Sequence, residues 1–265
     1  MIEIINQIVK ENNIHDFGIC EFNKKYLINC RAINRIPSNA KSTIVFLFPY
    51  KNNVVKGNLS RYSFAKDYHI FGMNILNKIS NSLTEKFPEY TFSAFTDNSP
   101  IPEVMAAIEA GLGVRGDNGL LITPKYGSWV FIGEIVTDMD LSKYTKVIKN
   151  RECIHCKKCE NNCPGKAIHN GKINKETCAS HITQKKGILN ESEKEIIKKA
   201  GYIWGCDICQ EVCPMNKNKE NTYIPFFTED IITNIECNQY DALKDRAFQW
   251  RPKEVIERNI KILSE

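Results

Sequence analysis

The stretch CIHCKKCENNCPGKAI, residues 153–168, decides how this chain is read. Cys153, Cys156, Cys159 and Cys163, the last followed by Pro164, reproduce the Cys-x2-Cys-x2-Cys-x3-Cys-Pro spacing of bacterial two-cluster ferredoxins, where the fourth cysteine ligates the other cluster. Reach explains the rule: three thiolates at three-residue spacing wrap one [4Fe-4S] cube, and the fourth lies beyond the turn. A second cluster is then required. Downstream, GCDICQEVCPMN carries Cys206, Cys209 and Cys213 before Pro214, the same run without its first cysteine, and Cys178 supplies that ligand from a separate segment. The expected ligand sets are therefore Cys153, Cys156, Cys159 and Cys213 for the first cluster, and Cys163, Cys178, Cys206 and Cys209 for the second. Tetrahedral zinc also takes four thiolates, but zinc knuckles show two Cys-x2-Cys halves rather than triple runs ending in Cys-Pro. Cys20, Cys30 and Cys237 are left as ordinary buried or surface residues.

Outward from the cysteines, 265 residues with 42% hydrophobic and 25% charged content describe a soluble globular protein of one large domain or two modest ones. The N-terminus carries Glu3 and no long apolar stretch, and the longest apolar run, IVFLF at 44–48, is strand-sized. Neither a signal peptide nor a membrane span is expected, which places the chain in the cytoplasm and favours metal binding over disulfides for its 11 cysteines. Residues 149–219 hold fourteen Lys or Arg against eight Asp or Glu, an excess of six, so the rest of this +5 chain sits at −1. Such a basic segment is either a phosphate-facing surface, as nucleic-acid binding would use, or a solvated lysine-rich face; charge alone does not choose.

Residues 1–145 alternate helical and strand patterns: an amphipathic start (Ile2, Ile5, Ile8, Val9), a short strand at 17–20, STIVFLFPY at 42–50, a helix over 69–86, YTFSAF at 90–95, a helix with Pro100 in its first turn and Gly111 as its stop, and SWVFIGEIV at 128–136. The fold expected is an α/β N-terminal domain (1–145), a ferredoxin-like double [4Fe-4S] domain (146–225) and a C-terminal helical tail (226–265). From Cys153 to Pro214 long apolar runs are scarce, so metal is expected to contribute much of the folding free energy there. Helices are expected at 192–201 and over PKEVIERNIKIL.

A pure ferredoxin needs nothing beyond the cluster module, so the first 145 residues should hold an electron acceptor. Here the residues resemble a family. RYSFAKDYH at 61–69, TDNSPIPEVMAAIEAGLG at 96–113, GDNGLLITPKYGSWVFIGEI at 116–135, CASHITQKKG at 178–187 and GCDICQEVCPMNK at 205–217 are together similar to the epoxyqueuosine reductases, which finish queuosine synthesis in tRNA and are themselves similar to reductive dehalogenases. The resemblance implies bound cobalamin, in the N-terminal domain and base-off. It implies that Asp97 is the proton donor to the epoxide oxygen and should be desolvated to hold its proton. It also implies that Asp67, Tyr68, His69, Asp97, Asn118, Gly119, Ser128, Ser180 and Gly187 contact or neighbour the cofactor.

Taken without the resemblance, Asp97 reads as an Asx turn feeding Ser99 and Pro100, and a helix start just after it would lower its pKa. His69 reads as a surface or hydrogen-bonded core residue, and residues 116–129 as an ordinary hairpin-like connection. DYHIFG at 67–72 fits the Asp-x-His-x-x-G signature of another cobalamin class, but the glycine pair that accompanies it is missing, and the match is coincidental. Two departures from the family stand out: the C-terminal helical repeats of longer members are not seen, and Asp117 occupies a position where lysine is usual. The expected activity is cobalamin-dependent reduction of epoxyqueuosine in tRNA by a monomer, with an external low-potential electron donor. A corrinoid iron-sulfur reductase of a small molecule and a non-enzymatic iron-sulfur electron carrier are the alternatives.

Overall fold

A computed structural model describes residues 1–145 and 152–265; the expected domain boundary after residue 145 opens onto the six residues outside that set. The chain forms two compact units. The first comprises Met1–Pro49, His69–Arg115 and the described part of Val130–Glu152; the second comprises Tyr50–Tyr68, Gly116–Trp129 and Cys153–Glu265. These units are not the linear blocks of the sequence, because two excursions from the N-terminal half belong with the cysteine-rich segment.

In the first unit, helix α1 (Ile2–Glu11) buries Ile5, Ile8 and Val9, the stripe that its apolar spacing dictates. Strands β1 (Phe17–Glu21), β2 (Ser42–Pro49), β3 (Phe92–Thr96) and β6 (Val130–Thr137) make a four-stranded sheet in the order β1-β2-β6-β3. Every pairing is antiparallel, with Ile44 opposite Ile19 on one side and Ile135 on the other. All eight residues of β2 are buried, as a continuous apolar run at the centre of a covered sheet requires. Helix α2 (Tyr68–Lys86) buries Leu76, Ile79 and Leu83.

Helix α3 (Glu103–Glu109) has Pro102 as its N-cap residue, so it begins later than a first-turn Pro100 would place it. The cause is local: Ser99 Oγ accepts the Ile101 N–H at 3.1 Å and holds 99–101 in a turn. Gly111 follows the helix with φ 78°, the left-handed stop its sequence position suggests. At Gly18 in β1 an added Cβ would meet the carbonyl oxygen of Ala110 at the end of α3, so the strand and the helix end pack at backbone distance.

Two-residue extended segments β4 (Val114–Arg115) and β5 (Leu121–Ile122) precede the second unit's cysteine-rich part. There the elements are short: α4 (Lys158–Asn162), the β7 (Ile168–His169) and β8 (Lys172–Ile173) hairpin, α5 (Ala179–Ile182) and α7 (Ile208–Glu211). Helix α6 (Glu191–Ala200) is the exception, closed at its start by an Asn190–Glu193 capping box and at its end by left-handed Gly201. Helix α8 (Lys253–Ser264) buries Val255, Ile256, Ile260 and Ile262.

The expectation that this region leans on metal for lack of apolar core needs amending for the unit as a whole. Ile203 and Trp204 enter a core with Leu59, Phe64, Ile235, Phe248, Val255, Ile256 and Ile260, most of it drawn from outside the cysteine-rich segment. Backbone and side-chain bonds from Asn58 to Ile235, and from Ser60 N–H to the Trp204 carbonyl, lock these distant segments together.

Gly18→Ala is expected to destabilise the first unit by about 1–3 kcal/mol through overpacking against Ala110. A lowered urea midpoint at unchanged iron content would show it; an unchanged midpoint would mean that the contact is loose.

Candidate metal centre and acid site

Eight thiols of the second unit fall into two groups. Burial first, then the Asp117 charge, then Cys153 and Cys213 raise Cys159, while burial first, then Cys153 and Cys156, raise Cys213. Burial pushes Cys206 up to about 12 and Cys209 in the same direction; Asp207, then Cys178 and Cys163 add to the rise at Cys206, and Cys206 and Cys178 to that at Cys209. The folding-back that groups them is local in origin. Lys157, in the left-handed region at φ 58°, starts α4 and turns Cys159 back toward Cys153, while Cys163 ends α4 in extended geometry before Pro164. The second motif repeats that exit, with Cys213 extended ahead of Pro214.

The donor set fits iron-sulfur clusters. Main-chain N–H groups of Glu160, Ile208, Met215 and Asn216 point at the sulfurs of Cys159, Cys206 and Cys213. Ala167 N–H donates to Cys163 Sγ at 3.2 Å. Such donors suit thiolates, and only thiolates ligate metal, so the cost of ionising buried thiols must be offset by the cations they bind.

In the first unit the loop after β3 carries Asp97 and Asn98, both left-handed at φ 46° and 35°. Neighbouring segments hold it: Ile28 N–H donates to the Pro100 carbonyl at 2.7 Å, and Cys30 Sγ donates to the Asn98 carbonyl at 3.6 Å. Asp97 Oδ2 lies 2.9 Å from His69 Nε2 on the first turn of α2. The Asp97 side chain is 54% exposed, so the chain itself does not supply the desolvation expected of a proton donor. Nor does Asp97 sit at a helix N-terminus, since α3 starts six residues later.

Behind the loop lie two acids that the sequence reading missed. Glu103 accepts the Asp97 main-chain N–H, and burial first, then the Asp97 charge, raise its carboxyl to about 8, with His69 pulling the other way. Glu134, fully buried on β6, is held well above the ordinary carboxylate range by burial first and by Glu103 second. Ser99 Oγ donates to Glu134 Oε2 at 2.5 Å, and Oε1 of each glutamate is buried without a hydrogen-bond partner. Burial thus drives both carboxyls toward their neutral, protonated forms. Their only sequence signal is a glutamate inside an otherwise apolar strand and one in a helix's first turn.

The remaining expected contacts are residues of the second unit. Asp67 donates its main-chain N–H to the Asp245 carbonyl, and Tyr68 stands edge-on to Tyr62 at 6.4 Å. Ser128 Oγ is committed within the protein, donating to Gln210 Oε1 and accepting from Asn216 Nδ2, each at 2.8 Å. Asn118 is buried, its Oδ1 accepting the Leu120 N–H at 3.3 Å and its Nδ2 left without a hydrogen-bond partner. Gly119 closes a turn onto the Gly116 carbonyl, the Ser180 carbonyl accepts from Thr183 and Gln184, and Gly187 faces open space at φ 79°. Asp207, unremarked in the sequence, is buried beside Cys206 and ties in Ser60 Oγ at 2.5 Å and Arg61 N–H at 2.7 Å.

Residues 152–216 match the 4Fe-4S double cluster binding domain. The epoxyqueuosine reductase of Lactococcus garvieae (strain Lg2) is 34% identical over 223 residues, which cover 80% of this chain and 62% of that protein. The chain belongs to the epoxyqueuosine reductase family. It spans about three fifths of the length of that family member. The structure of epoxyqueuosine reductase from Streptococcus thermophilus superposes on 99% of the chain and 80% of its own, with a TM-score of 0.81 at 22% identity, a likeness of fold. An epoxyqueuosine reductase solved with an epoxyqueuosine-modified tRNA-Tyr stem loop gives 0.82 at 23% identity, over 98% of this chain and 80% of that one. A catabolic reductive dehalogenase shares the fold more distantly, with a TM-score of 0.52 at 16% identity over 98% of this chain and 35% of its own. The fold is thus that of the family, an N-terminal α/β region with a double-cluster domain at 152–216. No helix among the described residues is long and apolar enough to cross a membrane.

Cys163→Ser is expected to weaken the cluster shared with Cys178, Cys206 and Cys209 and to spare the other, while Cys213→Ser does the reverse. Iron analysis with EPR on anaerobically reconstituted protein checks this, and both variants losing the same EPR signal would refute the crossed assignment. Glu103 supplies a pH test. The folded chain keeps its proton to about pH 8, whereas the unfolded chain releases it near the ordinary 4.5, so stability falls as pH rises between those values and then levels. Glu103→Gln is expected to remove this slope, gaining on the parent by at most ~1.4 kcal/mol per pH unit across the window. Parallel pH-stability curves in urea would show that Glu103 ionises normally.

Proposed function

We propose that this chain is a cytoplasmic, cobalamin-dependent reductase that converts epoxyqueuosine to queuosine in tRNA, acting as a monomer and drawing electrons from an external low-potential donor. What supports the reading is the pair of cysteine runs at 153–163 and 206–213, with Cys178 between them, inside a 4Fe-4S double cluster domain match at 152–216 in a chain similar to these reductases. Cys153, Cys156, Cys159 and Cys213 would hold one [4Fe-4S] cluster and Cys163, Cys178, Cys206 and Cys209 the other, supplying single-electron transfer. A relative bound to an epoxyqueuosine-modified stem loop supports tRNA as substrate, and the basic excess of residues 149–219 agrees with a phosphate-bearing one.

Bound cobalamin would supply the reducing equivalents at the carbon of the epoxide. The chain's own part is acid catalysis. Asp97 delivers a proton from its carboxyl to the epoxide oxygen, with Oδ2 oriented by His69 Nε2. Exposure of Asp97 leaves it open to be covered by cofactor and substrate, which would raise its pKa and keep the proton in place at neutral pH. Glu103, neutral and bonded to the Asp97 main chain, fixes the loop without adding a second negative charge behind the donor.

The test is anaerobic reconstitution with iron, sulfide and cobalamin, followed by nucleoside analysis of an epoxyqueuosine-modified stem loop. The expected result is about eight irons per chain, a base-off cobalt EPR signal and conversion to queuosine. Asp97→Asn should lower turnover by at least ~100-fold with cobalamin binding intact. Corrinoid binding without any change in the RNA would select a small-molecule reductase instead, and absence of corrinoid binding would select an electron carrier.

A further inference from the structure

Residues 22–66 carry nine Lys or Arg and no Asp or Glu. Five of these cations, Lys24, Lys25, Arg31, Arg35 and Lys41, belong to the first unit, and among the described residues none of the five forms an ion pair. The lysines of the later basic segment differ. Lys185 pairs with Glu176 and Glu193, Lys194 with Glu191 and Lys199 with Glu195, so part of that charge is neutralised where it stands.

The first-unit cations are built onto the loop that carries Asp97. Asn23 caps the turn Lys24–Tyr26, its side chain accepting the Lys25 N–H at 3.0 Å, and Lys24, Lys25 and Tyr26 are exposed there. Four residues on, Ile28 N–H donates to the Pro100 carbonyl and Cys30 Sγ to the Asn98 carbonyl, and exposed Arg31 follows directly. Arg35 Nη2 donates to the Ala94 carbonyl at 2.6 Å, and its guanidinium lies 4.9 Å from the Phe95 ring centre, which fastens the far end of the segment to the strand leading into Asp97. Cations without carboxylate partners gain most from polyanions, because neutralising each phosphate releases condensed counterions. We infer that residues 24–35 are an RNA-docking segment of the first unit, with Lys24, Lys25 and Arg31 taking backbone phosphates beside the nucleoside presented to Asp97. The inference rests on the proposed RNA substrate and adds where the first unit holds it. Glu21 and Glu109 share a hollow with Lys24 and Lys25 without pairing to them, so Arg31 is expected to contribute most.

Fluorescence anisotropy of a labelled epoxyqueuosine-modified stem loop tests this, titrated with the iron-sulfur-reconstituted chain over a range of salt, with and without cobalamin. Arg31→Ala is expected to weaken binding roughly fivefold at about 0.1 M salt and to lower the slope of log affinity against log salt by ~0.7–0.9. Arg31→Lys keeps the charge and should keep the slope, which a merely structural role for the arginine would not predict. Lys24→Ala combined with Lys25→Ala should lower the slope again. Lys194→Ala combined with Lys199→Ala removes two cations already paired on α6 and is expected to leave affinity and slope in place. Parent-like slopes for Arg31→Ala and for the Lys24 and Lys25 variant, or a loss confined to the Lys194 and Lys199 variant, overturn the inference and leave RNA as the proposed substrate. Failure of the parent chain to bind the stem loop in either condition overturns both. Binding that weakens as expected without any conversion to queuosine supports the docking segment and counts against the activity alone.

Discussion

Neither set of four thiols can be assembled from one contiguous stretch of chain. In the proposed ligand sets Cys213 returns to the loop of Cys153, Cys156 and Cys159, and Cys163 reaches across to Cys178, Cys206 and Cys209. That exchange makes some sixty residues double back, and apart from the ten-residue α6 the elements between them are single turns and a hairpin of two-residue strands. It also requires close backbone contact, as at Gly165, where a Cβ would strike the Thr177 carbonyl. Burial opposes ionisation of Cys159, Cys206, Cys209 and Cys213 in the bare chain, a cost that bound cations offset, so order and metal content are coupled here.

The first unit faces a different electrostatic problem. Its sheet core encloses Glu134, and Glu103 stands next to it, so a region otherwise built from Ile, Val and Phe carries two ionisable groups that oppose each other's charge. Protonation is how the fold tolerates them. The result is a loop of unfavourable φ angles at Asp97 and Asn98, anchored from behind by uncharged acids and from the side by His69, with its own carboxyl still facing outward.

Much of this was legible in the sequence, for reasons of range. Ligand spacing is a local property, so the cysteine runs declared themselves; β2 and β6 were visible as apolar runs, and α6 as the helical stretch at 192–201. What escaped depends on contacts far apart in the chain. Asp117 meets His155 across 38 positions, Ser60 meets Asp207 across 147, and Asn58 meets Ile235 across 177. No window-based pattern can join those partners. The start of α3 escaped for the opposite reason, a short hydrogen bond from Ile101 to Ser99 overriding the proline signal. The partners of Ser128, whose hydroxyl bonds to Gln210 and Asn216 more than eighty positions away, are of the same long-range kind.

The interleaving of the two units bears on how the molecule could be dissected. A fragment cut from residue 146 onward would leave Leu59 and Phe64 out of the Trp204 core and strip Asp207 of Ser60 and Arg61. An isolated electron-transfer module would have to be built by splicing Tyr50–Tyr68 and Gly116–Trp129 back onto the later segment through new linkers, because simple truncation at either end removes part of its interior.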